Sequence, residues 1–200
     1  GILALAEVYR SILTTVSAGG MGGAVPYFIG RKKYDIAEVL GAALPFAAIF
    51  GSILTIILTL ARVPLASLLF GGPEDADLIP MVAATAVLTN LHSMFLSALR
   101  FTMRPALFSM LNWLYAALNL GLAVLLVGVY ELGIRGILWA WIGATTGLVV
   151  VETITMTAAM IPRGRMALLG PMLRFGIPLI PNKIAQQVIT SADRIILKAF

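Results

Sequence analysis

Polar side chains in this chain's last apolar stretch fall into rows. Asn182, Gln186, Thr190 and Asp193 follow one another at steps of four, four and three, and Lys183, Gln187, Ser191, Arg194 and Lys198 form the row beside them. Ile184, Val188, Ile189, Ile195 and Ile196 occupy the opposite face. At helical pitch this spacing gives an apolar rod one broad polar side. In a bilayer that side must face water or other polar groups, because lipid satisfies no hydrogen bond. Lysine and arginine suit an anionic group, and glutamines suit hydroxyls. The chemistry on offer is recognition and passage of a polar molecule. For Asp193 and Arg194 a second reading stays open, as a pair seated at the membrane interface.

Other stretches carry fewer such groups. Glu7 and Arg10 stand three apart, with Ser11, Thr14 and Ser17 on about the same face. They read either as a self-neutralising pair near the interface, with snorkelling to water, or as a cavity-lining face. Gly19, Gly20, Gly22 and Gly23 precede Pro26. Gly19 and Gly23 have the small-xxx-small spacing of close helix packing, and the cluster also reads as a hinge. Thr85, Thr89, Ser93, Ser97 and Arg100 form a stripe expected to point into a helix bundle, with His92 adjacent. A second histidine or cysteine is missing, so His92 reads as a hydrogen-bonded packing residue rather than a metal ligand, and a proton relay stays open. Glu152, solitary among Thr153, Thr155 and Thr157, reads as protonated, paired or interfacial. With His92 it is the candidate for proton or ion coupling. Asn112 and Asn119 share one face seven residues apart, and Gly143 and Gly147 read as packing positions.

Catalytic signatures are absent. The sequence has no phosphate-binding G-x-x-x-x-G-K-[ST] loop and no H-E-x-x-H, so no catalytic residue, metal or cofactor is expected. Asp75-Ala76-Asp77 has a D-x-D spacing but reads as the start of a helix, where acids favour the N-terminus.

The elements that must hold these residues follow from composition. The 200 residues are 60% hydrophobic and 12% charged, with a mean hydropathy of +0.99, whereas soluble chains are about 45–50% apolar and about 25% charged. This excludes a soluble globular enzyme, a disordered segment and a disulfide scaffold, the last also because cysteine is absent. Six apolar segments are long enough to cross a bilayer, at Ile2–Ile29, Ile36–Ala61, Leu78–Leu99, Pro105–Tyr130, Ile134–Ile161 and Phe175–Phe200. They are continuous rather than alternating, so the expected fold is an all-α, polytopic transmembrane bundle rather than a barrel.

Charge then sets orientation. The loops Gly30–Asp35, Arg100–Arg104 and Pro162–Arg174 hold eight cations: Arg31, Lys32, Lys33, Arg100, Arg104, Arg163, Arg165 and Arg174. The alternate loops hold two, Arg62 and Arg135, beside Glu74, Asp75, Asp77 and Glu131. The first set is therefore expected inside a cytoplasmic membrane, which places residues 1 and 200 on the extracytoplasmic side. The net charge of +5 belongs to these loops and calls for no nucleic acid. Without a signal peptide before Ile2, this orientation leads us to expect an odd number of earlier spans, most simply one, and a chain cut at both ends.

Phe175-Gly-Ile-Pro-Leu-Ile-Pro181, followed by a polar helix ending in Ser191-Ala-Asp-Arg-Ile-Ile-Leu197, resembles the signature opening the seventh span of polysaccharide-biosynthesis flippases. These O-antigen-type proteins belong to the multidrug/oligosaccharidyl-lipid/polysaccharide exporter superfamily. Gly1-Ile-Leu-Ala-Leu-Ala, Gly22–Arg31, Leu99-Arg100 with Arg104, and Gly133–Ala140 are similar to other stretches of that family. The resemblance implies that residues 1–174 are spans two to six of the N-lobe of a two-lobed MATE-like fold. Residues 175–200 would then begin the C-lobe. It implies flipping of a polyprenyl-pyrophosphate-linked oligosaccharide to the outer leaflet by alternating access, with Arg10, Lys183 and Arg194 as cations and Gln186 and Gln187 for sugar hydroxyls. Contact with a glycan polymerase or other assembly proteins is a further expectation. Glu7, Glu152 and Asp193 would offset much of the positive field. Alternatives are a cation-coupled multidrug exporter of the same superfamily and a membrane-embedded glycan polymerase or ligase. The latter would need a large outer loop, whereas Arg62–Asp77 is mostly apolar up to Gly71.

Overall fold

A computed structural model of the chain describes residues 2–102, 105–159, 166–187 and 189. The described residues form helices and connecting turns with no strand among them, as the continuous apolar runs led us to expect. Helices α1 (Ile2–Ser17) and α2 (Met21–Gly30) lead into α3 (Ile36–Leu60), α4 (Arg62–Leu69) and α5 (Leu78–Phe101). Then come α6 (Pro105–Ala123), α7 (Gly133–Ala159) and α8 (Leu169–Gly176). Short 3-10 turns occupy Pro73–Asp75 and Met166–Leu168, and α6 runs on into a π-helix at Val124–Val129.

Helix α5 is the axle of the bundle, packed by α1, α2, α3, α6 and α7. Small residues let neighbours come close: Ala24, Ala42, Ala43, Ala47 and Ala98 are all buried. Two main clusters fill the interior. Met21, Val25, Val39, Met94, Phe95 and Met172 pack toward the basic-loop end, and Ala6, Leu13, Leu78, Val82 and Leu138 toward the acidic-loop end. The outside is apolar as well. Ile49, Ile53, Ile56 and Leu60 of α3, Trp113 and Leu120 of α6, and Trp139 and Ile154 of α7 are exposed. An apolar periphery around a bundle with internal polar groups is the arrangement a bilayer demands.

Helices α3, α6 with its π-helical extension, α7, and α5 with its preceding turn are each long and apolar enough to span. The first expected span is not one straight rod. It is broken between Ser17 and Met21, and its halves meet at 53°. With that pair counted as one span, the described residues hold up to five; of the sixth expected segment, residues 188 and 190–200 lie outside them. Two expected loops are partly helical. Arg62–Asp77 contains α4, whose Pro64 sits in a first turn where a missing N–H costs no hydrogen bond. The Pro162–Arg174 loop ends early, because α8 begins at Leu169. A two-residue turn at 177–178 separates α8 from a helical stretch over 179–187.

At the acidic end, Asp77 precedes α5 without bonding its backbone. Its carboxylate instead receives Arg135 Nε at 2.6 Å and Nη2 at 3.1 Å, joining α5 to α7.

Candidate functional site

The break in the first span is built from glycine. Gly19 and Gly20 have φ of +54° and +82°, a left-handed conformation that costs an ordinary L-residue about 1–2 kcal/mol. Gly20 also meets α8 with no side chain between them. A Cβ on Gly20 would run into the Gly176 carbonyl, and one on Gly176 would lie 2.5 Å from the Gly20 oxygen. Gly19 is closed off by Phe46, whose ring would be 2.7 Å from an added Cβ.

A polar cavity of about 180 Å³ opens beside this break. Thr14, Thr15, Asn90, Ser93 and Lys183 line it, with Gly20, Gly22 and Gly176 on its walls. Lys183 comes from the 179–187 helix, and its ammonium lies over Gly22 and Gly23: Cβ atoms built there would be 3.6 and 3.7 Å from Nζ. The glycines thus clear space for a cation. Asn90 fixes the far wall by donating through Nδ2 to the Thr14 carbonyl at 2.8 Å and to Ser17 Oγ at 2.7 Å. Thr14, Thr15 and Ser93 donate to the Arg10, Ser11 and Asn90 carbonyls. Their hydroxyl oxygens keep lone pairs for an incoming donor. One ammonium among hydroxyl and amide groups suits a ligand that combines negative charge with hydroxyls.

The remaining sequence candidates are dispersed. Arg10 turns toward α7, with its guanidinium 4.6 Å from the ring of Trp141, and its buried Nε has no hydrogen-bond partner among the described residues. Glu7 is half-buried one turn earlier on α1. Gln186 and Gln187 follow Lys183 by one turn without lining the cavity. Pro26 is half-buried within α2. Asp193 and Arg194 lie outside the described residues.

His92 and Glu152 come together across α5 and α7. His92 Nδ1 lies 2.8 Å from Glu152 Oε1, and Glu152 is fully buried. The imidazole stacks on Tyr115 of α6 at 5.6 Å between centroids. The packing expectation for Gly143 and Gly147 divides. A Cβ on Gly143 would meet Leu122 at 3.1 Å, whereas Gly147 faces open space. Asn112 bonds its own Phe108 carbonyl rather than a neighbouring helix. Among the described residues, no three His, Cys, Asp or Glu side chains are grouped to hold a metal. An apolar crevice of about 300 Å³ runs between α3, α5 and α7, lined by Leu40, Leu44, Leu91, Phe95, Val149 and Met156.

Sequence reasoning passed over Asn90, the residue that ties the cavity together. Its signal was available: it is the only carboxamide on α5, and it shares a face with Ser93 and Ser97. Trp141 and Tyr115, the aromatic partners of Arg10 and His92, left no pattern to find.

A family model described as "Polysaccharide biosynthesis protein" matches residues 1–199. Neither curated proteins nor solved structures give a significant match.

Proposed function

The chain belongs to the polysaccharide biosynthesis protein family, and from that premise we propose that it is part of a flippase. The cargo would be a lipid-linked oligosaccharide carried from the cytoplasmic to the outer leaflet for cell-surface polysaccharide. A cargo of this kind has a pyrophosphate, sugar hydroxyls and a long lipid tail. The observation that carries the reading is the polar cavity at the bent first span, where Lys183 stands among Thr14, Thr15, Asn90 and Ser93. A niche lined by polar side chains in a bundle with an apolar outside suits the head group, while the tail remains in the bilayer. Residues 1–174 would serve as N-lobe, with the stretch from 175 opening a second lobe. Alternating access would rock one lobe against the other. The basic loops would face the cytoplasm of the inner membrane. The reading is of a transporter and requires no catalytic group.

Two measurements test it. Deleting the gene should abolish surface polysaccharide and leave its lipid-linked precursor in the inner leaflet, and Lys183→Ala should restore the polymer only partly at equal membrane abundance. Cysteines placed at Lys183 and Ser93, both on the cavity lining, in the complete protein should react with a water-soluble thiol reagent. Normal surface polymer in the deletion strain would refute the function. Silence at both cysteines would refute the cavity.

One observation favours a second reading. A fully buried carboxylate such as Glu152 also suits a cation-coupled multidrug exporter of the same superfamily. Dye efflux that is lost on deletion, with surface polymer intact, would select that alternative.

A further inference from the structure

We propose that His92 and Glu152 together form a proton-binding site that holds α5 against α7, and that its proton is exchanged only when this contact opens to water. The link to transport rests on the flippase reading, whereas the proton site itself does not.

The pair lies away from the polar cavity. On α5, Asn90 and Ser93 face the break in the first span, Leu91 and Phe95 face the apolar crevice, and His92 points to Glu152. Glu152 is completely buried and His92 is 8% exposed. Only Oε1 of the carboxylate is engaged; Oε2 has no hydrogen-bond partner among the described residues. Of the ionisable groups on the elements around it, Tyr115 of α6 stacks on the imidazole. Arg135 of α7 is engaged with Asp77 at the acidic end, and Arg100 of α5 lies over Phe108 at 4.9 Å. Glu38 belongs to the first turn of α3. On α1, Arg10 lies over Trp141 of α7 and Glu7 is half-buried; among the described residues, His92 is the ionisable side chain within hydrogen-bond reach of Glu152.

Counting protons defines the device. With one proton the pair is neutral overall, whether written as imidazolium and carboxylate or as imidazole and acid. With none it is a buried anion, and with two a buried cation. Removing an ion from water costs several kcal/mol when its charge is not matched, so the closed contact selects the single-proton state. Losing that proton requires water at the pair, which the present packing excludes. The proton then passes to water on whichever side has opened, and the deprotonated carboxylate keeps α5 and α7 hydrated and apart until a hydronium ion returns one. Both residues act as positioning groups for a helix contact, and neither needs to touch cargo.

The reporter is a single cysteine at Val149, on the α7 wall of the crevice, in the complete transporter in proteoliposomes without cargo. These 200 residues hold no cysteine, and any cysteine elsewhere in the complete protein is replaced before labelling. Divided by the rate at a reference cysteine replacing exposed Glu74, which removes the rise in thiolate with pH, reaction with a water-soluble maleimide should be about tenfold faster at about pH 8.5 than at about pH 6, within the roughly 5- to 150-fold range of ordinary conformational coupling. Glu152→Gln mimics the protonated acid and keeps a side-chain amide beside His92. Measured against the same reference cysteine, it should remain slow at both values, with a ratio below about twofold. His92→Gln leaves a lone carboxylate and should move the pH midpoint rather than abolish the dependence. A flat wild-type profile overturns the proposal, as does a wild-type pH response in Glu152→Gln. Should that variant fail to fold, an unmoved midpoint in His92→Gln has the same force. Because no cargo is present, these outcomes are independent of whether the flippase reading survives.

Discussion

Replacing Asn90 with alanine should loosen α1 from α5 and collapse the wall of the polar cavity. The carboxamide donates twice, at 2.8 Å to the Thr14 carbonyl and at 2.7 Å to Ser17 Oγ, and Asn90 and Ser17 are 4% and 2% exposed. Hydrogen bonds between membrane helices average about 0.6 kcal/mol and reach about 1.7. Two of them, with the acceptors left in a dry interface, give an expected loss of about 1–3 kcal/mol. Ser17→Ala removes one acceptor and should cost about 0.6 kcal/mol. Unfolding of the purified protein in mixed micelles, monitored by tryptophan fluorescence, measures both. A double-mutant cycle then isolates the Asn90–Ser17 bond, with an expected coupling of about 0.5 kcal/mol or more. Asn90→Ala within a few tenths of a kcal/mol of wild type, or strict additivity of the two changes, would refute the claim that this carboxamide fastens the cavity wall.

Two further perturbations probe the glycine break and the acidic end of the bundle. Gly20→Ala should destabilise by more than Gly71→Ala. Both positions have positive φ and share a backbone cost of about 1–2 kcal/mol, but Gly71 has open space around it and Gly20 has the Gly176 backbone. The same unfolding assay should separate them, and equal losses would dismiss the main-chain crossing as a source of stability. For Asp77 and Arg135, each about half exposed, a double-mutant cycle should give roughly 0.2–1 kcal/mol that shrinks in high salt. A coupling that ignores salt would contradict the solvent-facing geometry.

Helix type and approximate number were readable because hydropathy answers to one strong constraint, the satisfaction of backbone groups in lipid. Rotation of each helix about its axis was not. The row Thr85, Thr89, Ser93 and Ser97 suggested a polar face, yet all four hydroxyls bond carbonyls of their own helix. Thr55 and Thr59 do the same on the lipid-facing α3. A hydroxyl that satisfies itself says little about what surrounds it, whereas the Asn90 carboxamide reaches across to α1. The glycine cluster announced an irregularity, but only the placement of α8 shows why Gly20 has no room for a side chain. Glu152 could not be assigned a depth from sequence, because its pairing with His92 depends on the crossing of α5 and α7, sixty positions apart. The short helices α4 and α8 were read as loop because eight residues carry too little periodicity to separate them from a connecting segment.

The meeting of Gly20 with Gly176 has one mechanical consequence. Helices usually lock by interdigitation, each knob held in a socket, so moving one past another means lifting side chains out of their sockets. Two bare main chains offer neither knob nor socket. Their contact is a hard stop against compression. The bare crossing thus sets how closely the kinked first span and the stretch after α8 can approach, while Phe175 stacked on Tyr27 at 3.9 Å and Leu179 over Gly23 hold their register where both carry the walls of the polar cavity.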